Sequence, residues 1–118
     1  MTAPKWTVRL GAAAELDFAN VLKWTAENFG ARQANVYRDT LVQSIRELAK
    51  GPDVIGSKTR NEIMPGLRTL HVARNGRRGR HLLLYRIAEG KVVEIGRILH
   101  DRMDLRRHLP FPTDEHQK

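Results

Sequence analysis

Residues 80–109 of this chain read RHLLLYRIAEGKVVEIGRILHDRMDLRRHL, and this stretch decides the fold. Its first part, from Arg80 to Ile87, is strongly apolar and predicts a central strand. Glu89-Gly90 is typical of a tight hairpin turn, so we expect the strand from Lys91 to His100 to return antiparallel to the first. Gly96 inside this second strand indicates a bulge or a close approach of another backbone segment.

The first half of the chain predicts one strand and two helices. Trp6 to Leu10 alternates between apolar and polar residues, as a strand with one buried face does. Apolar residues at helical spacing predict one helix from Ala12 to Phe29 and a second from Ala31 to Lys50. Because only Gly30 separates the two helices, they must fold back on each other as an antiparallel hairpin.

A loop, a strand and a terminal helix complete the prediction. The segment from Gly51 to Gly66 is rich in glycine and proline and predicts a loop, while the alternation from Leu67 to Ala73 predicts a strand. Asn75 to Gly79 is predicted as a flexible, basic hairpin loop. The residues from Asp101 to Leu109 predict a short last helix with Asp101 as its N-cap.

The predicted element order is β-α-α-β-β-β-α. It defines an α+β domain in which the helical hairpin packs on one face of a mainly antiparallel four-stranded sheet. We expect a single domain over residues 1–110, followed by a flexible tail over residues 111–118. The aromatic side chains expected in the core are Trp6, Trp24, Phe29 and Tyr37.

Composition limits the classes of function. The chain has no cysteine, which excludes disulfides, thiolate metal ligands and cysteine nucleophiles. No apolar run is long enough for a membrane span or a signal peptide, so we expect a cytoplasmic protein without membrane contact. The net charge is +8, and residues 60–108 alone hold twelve basic and five acidic residues, a net charge of +7. Such a surface suits a polyanionic partner, either nucleic acid or an acidic protein segment.

Residues 98–109, ILHDRMDLRRHL, together with the preceding hairpin, closely resemble the C-terminal signature of ParE toxins. The resemblance extends over residues 5–110, and the element order is similar to that of the RelE/ParE superfamily as a whole. It implies a toxin of a type II toxin–antitoxin system that uses no cofactor. It also implies an acidic cognate antitoxin, ParD-like or similar, whose C-terminal arm wraps the toxin in a hetero-oligomer.

The resemblance leaves the cellular target open. ParE-type toxins poison DNA gyrase by binding, whereas the RelE branch cleaves messenger RNA on the ribosome. RelE-like enzymes carry lysines on the first strand after the loop, where this chain has Arg68 and His71, and the RelE set of catalytic residues is not reproduced. We therefore expect a gyrase inhibitor rather than an enzyme. The alternatives are a RelE-type endoribonuclease and a relic that binds an antitoxin without being toxic.

Basic residues are the candidate site residues. In the endoribonuclease alternative, His100 acts as the acid while Arg97 or Arg80 holds the phosphate. In the binding hypothesis, the contact surface for gyrase or antitoxin consists of Arg74, Arg77, Arg78, Arg80, Arg102, Arg106 and Arg107. No metal site is predicted, because the spacing of His100, Asp101 and His108 fixes no tetrahedral geometry.

Overall fold

The computed structural model describes residues 6–112, which form a five-stranded mixed sheet with the strand order β1-β5-β4-β3-β2. The central strands β4 and β5 pair antiparallel, and β1 lies parallel to β5 at one edge. The strands are β1 (Thr7–Leu10), β2 (Lys58–Thr59), β3 (Arg68–His71), β4 (His81–Ala88) and β5 (Val92–His100). The sheet therefore has one strand more than predicted, because a two-residue strand such as β2 shows no alternation that could be recognised in the sequence.

Two helices, α1 (Ala12–Phe29) and α2 (Ala31–Glu47), form the predicted antiparallel hairpin, and a short 3₁₀ turn (Leu48–Lys50) extends α2. Gly30 joins the helices with a φ of 95°, a conformation that glycine adopts at little cost. The hairpin packs on the sheet chiefly through α1 and β5. The predicted α+β class and the arrangement of helices on a sheet are confirmed.

Hydrophobic cores lie on both faces of the sheet. The first lies between the helices and the sheet, where Leu41 of α2 packs with Leu83 and Tyr85 of β4. The second core lies on the opposite face of the sheet. It contains Leu84, which lies between Leu83 and Tyr85 in β4, and side chains from the segments that precede β3 and follow β5. Each strand residue faces one side of the sheet, so the two cores follow from the period of two in β4.

Gly96 is both a bulge and a point of close approach, as predicted. Leu84 pairs with Arg97 and Tyr85 pairs with Ile95, which leaves Gly96 as the extra residue in β5. A Cβ atom at this position would lie 2.6 Å from Pro110 Cβ and 2.7 Å from Pro110 O. The C-terminal segment can therefore cross β5 because residue 96 has no side chain.

The predicted C-terminal α-helix is wrong. The structure has a turn followed by a single 3₁₀ turn (Leu105–Arg107), whose N-cap is Asp104 rather than Asp101. The Asp104 Oδ1 atom accepts the Arg106 N–H at 3.1 Å, whereas the Asp101 carboxylate accepts a hydrogen bond from His71. The Asp101 carboxylate is directed towards His71 on β3, and within the described residues it caps no helix.

Phe111 belongs to the fold, although the predicted flexible tail began at this residue. Its side chain is 8% exposed and packs in the second core, and the Arg86 guanidinium lies 3.9 Å from its ring centroid. The rest of the predicted tail, residues 113–118, lies outside the described residues. No helix within residues 6–112 is long and apolar enough to cross a membrane.

Candidate partner-binding groove

A groove of about 1250 Å³ lies between the helical hairpin and the loop that joins β3 to β4. One wall comes from α1 and α2, the other comes from the loop, and the ends of β4 and β5 contribute its floor. The lining residues are Asn20, Val21, Trp24, Thr25, Phe29, Gln33, Val36, Tyr37, Thr40, Ala73, Gly76, Arg77, Arg78, Gly79, Arg80, His81 and His100.

The helix wall is apolar and open to solvent. Trp24 is 57% exposed, Phe29 is 63% exposed, and their rings meet edge to face with centroids 5.7 Å apart. The prediction that these two aromatic residues lie in the core is wrong. Helical spacing places them on an apolar stripe, but it cannot show where that stripe leaves the sheet and lines a groove instead. Exposed aromatic side chains beside one another are a common feature of binding surfaces.

The loop wall is basic. Arg77, Arg78 and Arg80 all line the groove, and the Arg77 Nη1 atom donates a hydrogen bond to Thr40 Oγ1 at 3.1 Å across it. Within the described part of the chain, no aspartate or glutamate is among the lining residues. An apolar wall therefore faces a cationic wall with no internal counter-charge in the lining.

A hydrogen-bond chain orders the floor of the groove. The Arg80 backbone N–H donates to Tyr37 Oη at 3.0 Å, and Tyr37 Oη lies 2.7 Å from His81 Nδ1. Because the Tyr37 oxygen accepts from Arg80, its own hydrogen is available for His81 Nδ1. With the Tyr37 hydrogen directed to Nδ1, neutral His81 carries its own hydrogen on Nε2.

His81 is held neutral in this position. Burial, followed by the charge of the neighbouring His100, lowers the pKa of His81 from its ordinary value of 6.5 to about 4. The rings of His81 and His100 lie edge to face with centroids 5.4 Å apart, and the two residues are directly paired across β4 and β5. Burial also raises the pKa of the Tyr37 hydroxyl, so that group stays protonated as a donor.

Asp101, which lies outside the groove lining, contacts both His71 and the groove residue His100, whose Nδ1 atom is 3.4 Å from Asp101 Oδ1. His71 Nε2 lies 2.9 Å from Asp101 Oδ2, and this hydrogen bond lowers the pKa of the Asp101 carboxyl. His100 Nδ1 accepts the Arg102 N–H at 3.2 Å. Within residues 6–112, no three histidine, aspartate or glutamate side chains are placed to hold a metal ion.

The structure separates the predicted site residues into four places. The groove brings together Arg77, Arg78, Arg80 and His100. Arg74 points inward and donates from Nη1 to the Ile55 carbonyl at 2.7 Å, with Glu47 at 3.7 Å. Arg97 donates to both oxygens of Asp17 at 2.7 and 3.0 Å, so its guanidinium is already held by a carboxylate.

The remaining arginines lie in the C-terminal segment, outside the groove lining. Arg102 is exposed, Arg106 donates to the Glu62 carbonyl at 3.0 Å, and Arg107 lies 3.6 Å from Asp104. Since no α-helix forms there, Arg102 and Arg106 do not share the helical face that their spacing predicted. Tyr37 and His81 are groove residues that were not predicted, because no local sequence pattern indicates a hydrogen bond between residues 44 positions apart.

The low pKa of His81 predicts a specific loss of stability in acid. The unfolded chain binds a proton near pH 6.5 and the folded chain near pH 4, so this contribution is complete above pH 6.5 and is lost as the pH falls towards 4. Between pH 7 and pH 5 we expect a loss of about 2 kcal/mol in the free energy of unfolding. His81→Asn retains an acceptor for Tyr37 but does not titrate, so urea unfolding of this variant should show a correspondingly smaller loss. Equal losses in the two proteins would contradict the assignment.

The fold is shared with chains of two solved toxin–antitoxin structures. A structure described as the chromosomal ParDE system from P. aeruginosa aligns with a TM-score of 0.67 at 18% identity, over 83% of this chain and 98% of the other. The RelBE2 toxin–antitoxin complex from Mycobacterium tuberculosis aligns with a TM-score of 0.55 at 23% identity, over 81% and 98% of the two chains. At these identities the likeness shows the fold alone.

Sequence comparison gives the family. The model for the ParE toxin of type II toxin–antitoxin systems, parDE, matches residues 8–105. Toxin ParE1 of Mycobacterium tuberculosis is 31% identical over 100 residues, covering 85% of this chain and 94% of the relative. Toxin ParE of Escherichia coli is 32% identical over 100 residues, covering 85% and 89% of the two chains. The chain belongs to the ParE toxin family of type II toxin–antitoxin systems.

Proposed function

We propose that this toxin inhibits DNA gyrase and is neutralised by a cognate antitoxin, an acidic and amphipathic segment of which lies in the groove. The observation that carries the antitoxin assignment is the pairing of an apolar wall at Trp24, Phe29 and Val36 with a cationic wall, without any acidic lining residue. An amphipathic acidic segment matches both walls at once. The two structural neighbours, a chromosomal ParDE system and the RelBE2 toxin–antitoxin complex, support a hetero-oligomer of this kind.

Charge gives this association its expected kinetics. The net charge of +7 over residues 60–108 attracts an acidic partner before contact, which raises the association rate and fixes the orientation of the complex. Salt screens the exposed part of this attraction, so antitoxin association should slow as ionic strength rises. The apolar wall is insensitive to this screening and contributes to slow dissociation.

The gyrase assignment rests on the family and on the arrangement of the ribonuclease candidates. The chain belongs to the ParE family, and its resemblance to that family implies gyrase as the target. Of the three residues considered for RNA cleavage, His100 and Arg80 line the groove, but Arg97 is held by Asp17 outside its lining. A cation already paired with a carboxylate is a poor ligand for a scissile phosphate. These observations favour inhibition by binding.

The target can be tested by inducing the toxin in a bacterial host. We expect the DNA-damage response and filamentation to rise before protein synthesis falls. The double change Arg102→Glu and Arg106→Glu reverses two exposed cations of the C-terminal segment and should abolish growth inhibition, if that segment contacts an acidic surface of the target. Growth rate, a damage-responsive reporter and amino-acid incorporation provide the measurements.

The matched control is the double change Arg38→Glu and Arg46→Glu on α2, which alters the net charge equally at exposed positions outside the groove lining. This control should remain toxic. An early loss of translation without DNA damage would contradict the gyrase proposal in favour of messenger RNA cleavage. Equal toxicity of the two double variants, both folded by circular dichroism, would show that the C-terminal arginines are not contact residues.

A further inference from the structure

We propose that Arg80, His81 and His100 form an oxyanion site on the floor of the groove. On the basis of the proposed antitoxin function, the natural occupant is a carboxylate of the antitoxin segment. Occupation of this site is coupled to proton uptake, so that antitoxin binding strengthens as the pH falls.

Two imidazole N–H groups are available as donors. His81 Nδ1 is engaged with Tyr37 Oη at 2.7 Å, and His100 Nδ1 accepts the Arg102 N–H at 3.2 Å. In neutral histidine the other ring nitrogen carries the hydrogen, so each ring has its Nε2–H left to donate. Both residues line the groove and their ring centroids are 5.4 Å apart, so the two rings are close enough for one small anion to contact both.

The donors are reachable from the groove. Within residues 6–112, the buried side-chain atoms without a hydrogen-bond partner are Ser44 Oγ and Arg74 Nε, and neither belongs to this floor. Among the described residues His81 Nε2 has no hydrogen-bond partner, and it is not one of these buried atoms. Arg80 is exposed, lines the same groove and forms no ion pair with another described residue. A guanidinium beside two N–H donors is suited to a carboxylate, phosphate or sulfate oxygen.

Among the described residues that line the groove none is acidic, and the carboxylates that act on His81 belong to residues outside that lining. The surrounding groups are Tyr37 on α2, Asp17 on α1, His71 on β3, His100 on β5 and Asp101. Asp17 is paired with Arg97, whereas Asp101 accepts from His71 and its Oδ1 atom also lies 3.4 Å from His100 Nδ1, on the side of that ring opposite the proposed Nε2 donor. A bound anion would add negative charge beside His81 and oppose the burial and the His100 charge that keep it neutral. Protonation of His81 and anion binding should therefore favour each other.

The probe for the site is sulfate, which keeps its charge across the relevant pH range. Toxin made by cell-free synthesis and labelled with ¹³C and ¹⁵N allows the pKa of each histidine to be measured by NMR in sulfate and in chloride at equal ionic strength. We expect sulfate to raise the pKa of His81 by at least about half a unit. Because binding takes up one proton, the dissociation constant for sulfate should fall by up to about tenfold for each unit by which the pH is lowered. An identical His81 pKa in the two salts would overturn the site.

Matched variants separate the site from general attraction of anions. Arg80→Gln should weaken sulfate binding at least about fivefold, whereas Arg38→Gln, which removes an exposed cation of α2 outside the lining, should leave it unchanged. His81→Asn should abolish the pH dependence while the protein remains folded. Equal effects of Arg80→Gln and Arg38→Gln would overturn the proposal, because the attraction would then depend on net charge alone.

The antitoxin arm of the experiment identifies the natural anion. With the antitoxin encoded beside the toxin gene, wild-type affinity should rise at least about threefold from pH 7 to pH 5.5, and His81→Asn should remove this gain. If the groove variant Trp24→Glu weakens antitoxin binding but Arg80→Gln and His81→Asn do not, the proposed function stands and the carboxylate assignment is overturned. If none of the three variants weakens it, the groove is not the antitoxin site and the proposed function itself fails, even where sulfate binds.

Discussion

Trp24→Glu is expected to leave growth inhibition intact while weakening antitoxin binding at least about 100-fold. Tryptophan at the centre of an interface commonly contributes 2 kcal/mol or more, and each 1.4 kcal/mol is a tenfold change in affinity. The new carboxylate also repels an acidic segment. Because Trp24 is exposed, its replacement removes little packing from the folded toxin. Titration calorimetry with the antitoxin and rescue of growth by co-expression give the two measurements.

The control for this change is Leu16→Glu. Leu16 is 62% exposed on the same helix but is not among the groove-lining residues, so the variant adds the same charge and loses an apolar side chain elsewhere. It should bind antitoxin within about twofold to threefold of the wild-type affinity. If Trp24→Glu is still neutralised as well as Leu16→Glu is, the antitoxin does not use the groove.

Periodic patterns predicted most of the fold because each element has a long apolar stripe of its own. The helical period gives α1 and α2 with nearly their observed bounds, and the glycine between them gives the hairpin. The prediction fails where a tertiary contact overrides local preference. Asp101 is a good N-cap by local rules, but its carboxylate accepts from His71, and a 3₁₀ turn forms three residues later instead of a helix.

The groove was only half predictable. A dense run of arginines marks the loop wall in the sequence, since clustered charge is visible without a structure. The helix wall was misassigned, because Trp24 and Phe29 fit a core stripe as well as they fit an exposed one. The hydrogen bond between Tyr37 and His81 and the ion pair between Asp17 and Arg97 join residues 44 and 80 positions apart. Contacts of this range depend on how the strands and helices pack against each other, and local patterns in the sequence do not show that packing.

The Asp17–Arg97 pair illustrates how such a contact holds the fold together. Asp17 of α1 accepts from Arg97 Nε at 2.7 Å, from Arg97 Nη2 at 3.0 Å and from the Ile98 backbone N–H at 2.9 Å. Its side chain is 13% exposed, and Arg97 and Ile98 directly follow the bulge at Gly96. The carboxylate therefore satisfies the Arg97 guanidinium and a backbone N–H of β5 that lies beyond the last residue paired with β1, and it joins the helical hairpin to the sheet.

Asp17→Ala is accordingly expected to lower the free energy of unfolding by about 3 kcal/mol, since it leaves a partly buried guanidinium and a backbone N–H without their acceptor. Urea unfolding at pH 7 provides the measurement.

Glu94→Ala is the matched control. Glu94 also pairs with two arginines, Arg9 and Arg86, but their side chains are 56% and 43% exposed. The loss of Glu94 should therefore lower the free energy of unfolding by about 1 kcal/mol or less. Adding Arg97→Met to Asp17→Ala should restore part of the lost stability, because the guanidinium without a partner is then removed. Equal, small effects of Asp17→Ala and Glu94→Ala would show that the Asp17 bonds do not hold α1 to β5.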